Sequence, residues 1–196
     1  ATQHEANVCP AGYLCPANMM YDPTTQGDTY KCAAGYYCLA GTAAATPCLA
    51  GTYNANLQGT SSASCIQAPA GTYTREAATA TIPCNAGYYC PAGTTGDNAV
   101  ACPEGKMRKT TGGGALSDCT DCDAGYYCGE ATHTPVICPQ GSYCPAGTST
   151  PVQCPIGTFG ATLGLTASSE CKDCLPGHYC SSPGIQSPSG LRSTAS

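Results

Sequence analysis

Residues 84–122 read CNAGYYCPAGTTGDNAVACPEGKMRKTTGGGALSDCTDC, and the spacing within them decides the fold. Cys84 opens the motif Cys-x-x-Gly-x-aromatic as CNAGYY, Cys102 opens a variant, CPEGKM, and Cys122 opens the next copy, CDAGYY. Outward from this stretch the motif recurs as CPAGYL from Cys9, CAAGYY from Cys32, CLAGTY from Cys48, CPQGSY from Cys138, CPIGTF from Cys154 and CLPGHY from Cys174. APAGTY from Ala68 is a further copy without its cysteine. The ten starts are separated by 23, 16, 20, 16, 18, 20, 16, 16 and 20 residues. Recurrence at near-constant spacing is the signature of stacked repeats, in which one supersecondary unit is copied along the chain.

A longer period lies over the short one. Cys32, Cys84 and Cys138 are 52 and 54 residues apart, and Cys48, Cys102 and Cys154 are 54 and 52 apart. The chain therefore reads as a partial repeat with an insertion (1–31), three cysteine-rich repeats (32–83, 84–137 and 138–183) and a Ser/Pro-rich tail (184–196). The insertion, around Met19 to Gly27, is expected in an exposed loop.

Nine motifs begin with cysteine, leaving nine other cysteines. Cys15, Cys38, Cys90, Cys128, Cys144 and Cys180 close a motif after five intervening residues. Asn54, Arg108 and Gly160 stand where three motifs lack that closure, and those three have Cys65, Cys119 and Cys171 instead, 17 positions after the opening cysteine. The simplest pairing is local: 9–15, 32–38, 48–65, 84–90, 102–119, 122–128, 138–144, 154–171 and 174–180. Ala68 and Thr74 replace the counterparts of Cys122 and Cys128 together, as partners should. Two rivals remain at the level of sequence, which never fixes connectivity by itself. An interleaved scheme (122–138 with 128–144) leaves Cys84 and Cys90 without equivalents. A shifted ladder leaves Cys9 and Cys180 unpaired and forces 119–122 and 171–174 bridges across two-residue loops. The motif glycine is expected to supply the tight turn, at positive φ.

Composition agrees. The 196 residues include 18 Cys, a disulfide-scaffold density of about 9%, with 24 Gly and 16 Pro. Only nine Leu, five Ile, four Val and one Phe are present, too few for a core suited to this length. Gly and Pro break every helical window, and aromatic pairs such as Tyr88–Tyr89 suit strands of two or three residues. The expected fold is small and disulfide-rich: an elongated ladder of motifs with short β-hairpins, little regular secondary structure and no single hydrophobic core, each unit touching only its neighbours.

At Cys48–Cys65, Cys102–Cys122 and Cys154–Cys174 the chain resembles the ephrin-receptor-like cysteine-rich repeat, which carries Cys-x-x-Gly-Thr-Tyr, a long loop, and then Cys-x-x-Cys-x-x-Gly. The likeness spans most of residues 9–180, and the extra cysteine of GYYC departs from the usual repeat. That resemblance implies an EGF-like, extracellular spacer or assembly module of the kind found in protist surface coats and flagellar mastigonemes, without catalytic residues. The layout is also similar to tumour-necrosis-factor-receptor cysteine-rich domains.

Function classes can be narrowed further. Cysteine at this density persists as disulfides in an oxidising compartment, so a secreted or cell-surface protein is expected. The chain has no initiator Met or leader and is expected to be a processed product or a segment of a longer one. No apolar run reaches membrane-spanning length. A net charge of −5 without a basic cluster argues against nucleic acid. Cys119-x-x-Cys122 and Cys171-x-x-Cys174 are too far apart for an ordinary zinc ribbon. Asp118, Asp121 and Asp123 form an acidic cluster of the kind that holds calcium, but read more simply as a solvated loop. His4, His133 and His178 are scattered and accompany no nucleophile, so no catalysis, metal or cofactor is expected. Without an Asn-x-Ser/Thr sequon, any glycan must be O-linked, with Thr24, Thr25, Thr46 and Thr150 beside prolines as candidates. The leading expectation is a structural subunit of an extracellular filament, appendage or coat that associates head-to-tail with itself, because its first and last motifs are similar in kind to internal ones. The alternative is a receptor-like ectodomain that binds a protein ligand.

Overall fold

The computed structural model describes residues 9–16 and 22–188. The expectations for His4, for the insertion between 17 and 21, and for the tail beyond Pro188 lie outside the described residues. Two units are distinguished, one of residues 1–84 with 90–100, the other of 85–89 with 101–196. Among the described residues there is no α-helix. The described part of the insertion is an exposed 3-10 turn, Pro23–Thr25, with Pro23 itself tucked in and Asp22 capping the Thr24 N–H at 2.9 Å.

Regular structure consists of two-residue strands in two-stranded antiparallel ladders. In the first unit Tyr36–Tyr37 pairs with Thr46–Pro47, Thr52–Tyr53 with Ile66–Gln67, and Thr72–Tyr73 with Ile82–Pro83. In the second, Lys106–Met107 pairs with Thr120–Asp121, Tyr126–Tyr127 with Val136–Ile137, Ser142–Tyr143 with Val152–Gln153, and Thr158–Phe159 with Lys172–Asp173. One rule generates them all. The first strand is the pair of residues after a motif glycine, and the second is the pair ahead of the next motif's opening position. Aromatic and β-branched side chains dominate both, as the pleated geometry favours. Pro47 and Pro83 are tolerated because a two-stranded ladder leaves one edge of each strand without a partner for the missing N–H.

All eighteen cysteines are paired, with no free thiol. Six disulfides join residues six apart: Cys9–Cys15, Cys32–Cys38, Cys84–Cys90, Cys122–Cys128, Cys138–Cys144 and Cys174–Cys180. Three join residues 17 apart: Cys48–Cys65, Cys102–Cys119 and Cys154–Cys171. This is the local set. The Cα–Cα separations run from 5.5 to 5.9 Å, within the range a disulfide needs. In each long loop a 3-10 turn of three residues runs into the second cysteine: Ser62–Ser64, Leu116–Asp118 and Ser168–Glu170.

Consecutive motifs are held by a recurring set of four backbone hydrogen bonds. For the motif opened by Cys32, the Cys48 N–H donates to Gly35 O at 2.8 Å and the Gly35 N–H to Asn54 O at 2.8 Å. The Gln58 N–H donates to Cys32 O at 2.8 Å and the Cys38 N–H to Gly59 O at 2.9 Å. In the second unit the motif opened by Cys122 repeats the pattern: Cys138 to Gly125, Gly125 to Cys144, Gly147 to Cys122 and Cys128 to Thr148, all at 2.8–3.0 Å. The set satisfies backbone groups that a loop-rich interior would otherwise leave unpaired.

The motif glycine does more than turn the chain. Gly87 has φ +85, the left-handed region that glycine alone enters freely, and a Cβ on it would overlap the Ala131 carbonyl oxygen two motifs on. Gly12 stands in the same relation to Gln58 O, Gly51 to Gly93 O and Gly125 to Gly164 O, at 2.9, 2.5 and 2.7 Å from the ideal Cβ position. The expectation that each unit touches only its immediate neighbours is therefore corrected: a motif also packs its glycine against the second motif along. The carbonyl that meets it belongs to a residue itself at positive φ, including the non-glycines Gln58, Ala77 and Ala131.

The interior is cystine. Cys32, Cys38, Cys48, Cys84, Cys90, Cys102, Cys122, Cys128, Cys138, Cys144 and Cys154 are fully buried. Met107, which stands in the motif's aromatic position, packs against Cys122 and Cys128, and Leu165 packs with Tyr143 against Cys154 and Cys171. In the chain-entropy picture the short loops contribute roughly 2 kcal/mol each and the long ones roughly 3, which offsets the scarcity of aliphatic core.

Candidate functional site

The three positions that lack a closing cysteine are filled in three ways. Asn54 is buried, donates from Nδ2 to Tyr36 O at 3.0 Å and accepts the Asn56 N–H on Oδ1 at 3.0 Å. Arg108 donates from Nη1 to Asp118 O at 3.0 Å and from Nη2 to Thr111 O at 3.1 Å, while its buried Nε has no partner. At Gly160 a Cβ would come within 2.9 Å of the Gly141 N and 3.2 Å of Cys154 Sγ, so the Gly141 backbone first and the long disulfide next leave no room for a side chain.

Each long loop is closed by the residue just before its second cysteine, a feature the sequence reading missed. Ser64 Oγ accepts the Thr60 N–H at 3.1 Å, and Asp118 Oδ2 accepts the Gly114 and Ala115 N–H groups at 2.7 and 3.1 Å. Glu170 accepts the Thr166 N–H at 2.8 Å on Oε2 and its hydroxyl at 2.8 Å on Oε1. Backbone hydrogen bonds from Gly114 and then Ala115 hold the Asp118 carboxyl below its ordinary value. The backbone and then the side-chain hydrogen bond of Thr166 do the same for Glu170. The recurrence of a Ser, Asp or Glu at this place with the long period was the available signal.

That arrangement also accounts for the acidic cluster. Asp118 caps its own loop, Asp121 pairs with Lys106 at 2.6 Å across a ladder, and Asp123 pairs with Lys109 at 2.8 Å. The three carboxylates thus serve separate partners, none of them shared. Cys119 is bonded to Cys102 and Cys122 to Cys128, as Cys171 is to Cys154 and Cys174 to Cys180, so no Cys-x-x-Cys pair carries a thiolate. Among the described residues no three His, Cys, Asp or Glu side chains converge as metal ligands. His133 is exposed, and His178 has a buried Nδ1 without a hydrogen-bond partner.

Of the candidate glycosylation positions, Thr24 donates its hydroxyl to Asp22 Oδ1 at 2.7 Å and Thr25 to Asp22 O at 2.8 Å. Thr46 and Thr150 are exposed. Many other threonines are occupied structurally: Thr52, Thr72 and Thr158, directly after motif glycines, donate to the carbonyl three residues back at 2.7 Å.

No family model and no curated protein matches the chain.

What remains is surface. Thirteen of the sixteen described Leu, Ile and Val residues are exposed, among them Leu39, Leu49, Ile66, Val136 and Ile156. This inverts the ordinary distribution, in which these residues are among the most often buried. The first unit also has a cavity of about 230 Å³ beside Cys65, mostly apolar, lined by Tyr37, Pro47 and Leu49 together with the hydroxyl residues Thr46, Thr52 and Ser62. No helix among the described residues is long and apolar enough to cross a membrane.

Proposed function

We propose that this chain is a non-catalytic structural subunit of an extracellular filament, appendage or surface coat, assembling head-to-tail with copies of itself. The observation that carries the reading is the inverted surface: cystines occupy the interior and thirteen of sixteen aliphatic residues face out. Aliphatic groups left in water on a repeating scaffold favour burial against another surface. Covering a half-exposed Leu or Ile contributes about 1 kcal/mol, and association costs about 4–15 kcal/mol. A stable contact thus needs several such residues at once, which a repeated motif supplies. Nine disulfides suit an oxidising, extracellular setting and make a subunit that tolerates it. O-linked sugar on exposed hydroxyls belongs to the same reading, on Thr150 ahead of Thr46, which lines the cavity.

The cavity favours the alternative of a receptor-like ectodomain, but about 230 Å³ is below the usual range for small-molecule sites of roughly 300–1,000 Å³, and one cavity says less than a surface-wide inversion. Negative-stain images of the native material test the proposal. Regular filaments or sheets are expected; discrete, monodisperse particles at all concentrations would remove it.

A further inference from the structure

We infer that two charge-free stretches, residues 32–74 in the first unit and 131–169 in the second, are the two halves of a self-association contact, the first stretch of one copy receiving the second stretch of another. The inference rests on the assembly reading above and names its surfaces.

Neither stretch contains a single Asp, Glu, Lys or Arg, whereas residues 104–130 carry eight of the chain's nineteen charged residues. Copies with a net charge of −5 repel one another over most approaches. The two stretches bring no charged side chain of their own into a contact, and Lys172 and Asp173, exposed on the strand paired with Thr158–Phe159, must stay in water at its edge, because buried charges carry a desolvation cost. The same stretches are where exposed aliphatics gather: Leu39, Leu49 and Leu57 in one, Val152, Ile156 and Leu163 in the other.

The two stretches also differ in shape. The cavity beside Cys65 is walled entirely by residues of 32–74. At about 230 Å³ it exceeds the roughly 150 Å³ that admits a benzene ring, so one branched aliphatic side chain fits with room to spare. Leu49 and Ile156 are the two most exposed large apolar residues described, at 74% and 67%. Leu49 lines the cavity, and Ile156 is held out on the Cys154–Gly157 turn. That turn is anchored by the Cys154–Cys171 disulfide and by the Gly157 N–H donating to Cys180 O at 2.9 Å. A side chain presented on a rigid turn gives up little entropy on insertion. The unlike halves make the contact heterologous, so it propagates unless the rotation closes a ring.

Sedimentation velocity on the oxidised 196-residue chain tests this with Leu49→Glu and Ile156→Glu. Both positions are exposed, so folding is preserved, and intact mass with circular dichroism checks that. The unaltered chain is expected to form concentration-dependent oligomers, and each variant alone to associate at least tenfold more weakly. An equimolar mixture of the two variants is expected to form a dimer and nothing larger, because each supplies the half the other has lost. If the unaltered chain associates and both variants match it, these surfaces are wrong while assembly stands. If only Leu49→Glu is impaired, the contact joins like surfaces and the heterologous pairing is overturned. A chain that stays monomeric at the highest concentration overturns both this inference and the assembly reading.

Discussion

Replacing Gly87 by Ala probes the close approach between a motif and the second one along. Two costs combine there. Gly87 sits at φ +85, where an L side chain loses about 1–2 kcal/mol. Its new Cβ would also overlap the Ala131 carbonyl oxygen, a backbone atom held in place by the Ala131 N–H donating to Cys102 O at 2.9 Å. Forcing extra carbon into a packed place costs about 1–3 kcal/mol. Gly112 is the matched control within the same unit: φ is +83, but nothing lies within 4 Å of its Cβ position. Gly112→Ala should therefore lose about 1 kcal/mol and Gly87→Ala about 3. For a chain of this size each kcal/mol moves Tm by about 2–4 °C, so the expected shifts are about 3 °C and about 10 °C. Calorimetry of the oxidised proteins measures both. Equal shifts would mean that positive φ alone explains the repeated glycine, and the packing argument would fail.

The surface aliphatics and the few buried ones should respond oppositely to truncation: Leu49→Ser is expected to change stability by less than about 0.5 kcal/mol, and Leu165→Ala, packed against Cys154 and Cys171, to lose about 2–3 kcal/mol, both read by denaturant titration. Acid should weaken the long loops. The Asp118 and Glu170 carboxyls are held below their ordinary values of 3.8 and 4.5, so the stability they contribute is complete above those values and is lost as pH falls through the depressed ones. Asp118→Asn and Glu170→Gln should flatten the fall in Tm below about pH 4; an unchanged acid limb would show that the capping hydrogen bonds do not form.

The cysteine and glycine spacing carried most of the fold. A disulfide in every motif but the one from Ala68, and a turn at Gly35, Gly87 or Gly141, follow from residue types whose chemistry is tied to one conformation. Contact with the second motif along was not legible, because its other side is made by Gln58, Ala77 and Ala131, ordinary residues in a left-handed conformation that only tertiary packing enforces. The outward aliphatics were hidden for a different reason. Leu49 and Ile156 lie in turns with neither a period of 2 nor one of 3.6, so no pattern says which way they face. Asp118 read as one of an acidic group because sequence proximity placed it with Asp121 and Asp123, whereas its partners are the Gly114 and Ala115 amides of its own loop.

Everything rests on local pairing of the cysteines. Non-reducing peptide mapping by mass spectrometry, with digestion at low pH to prevent exchange, tests it most directly. The expected long-loop crosslinks are 48–65, 102–119 and 154–171, with each GYYC-type motif closed on itself as in 84–90 and 122–128. Recovery of 122–138 with 128–144, or of 119–122 with 171–174, would contradict it.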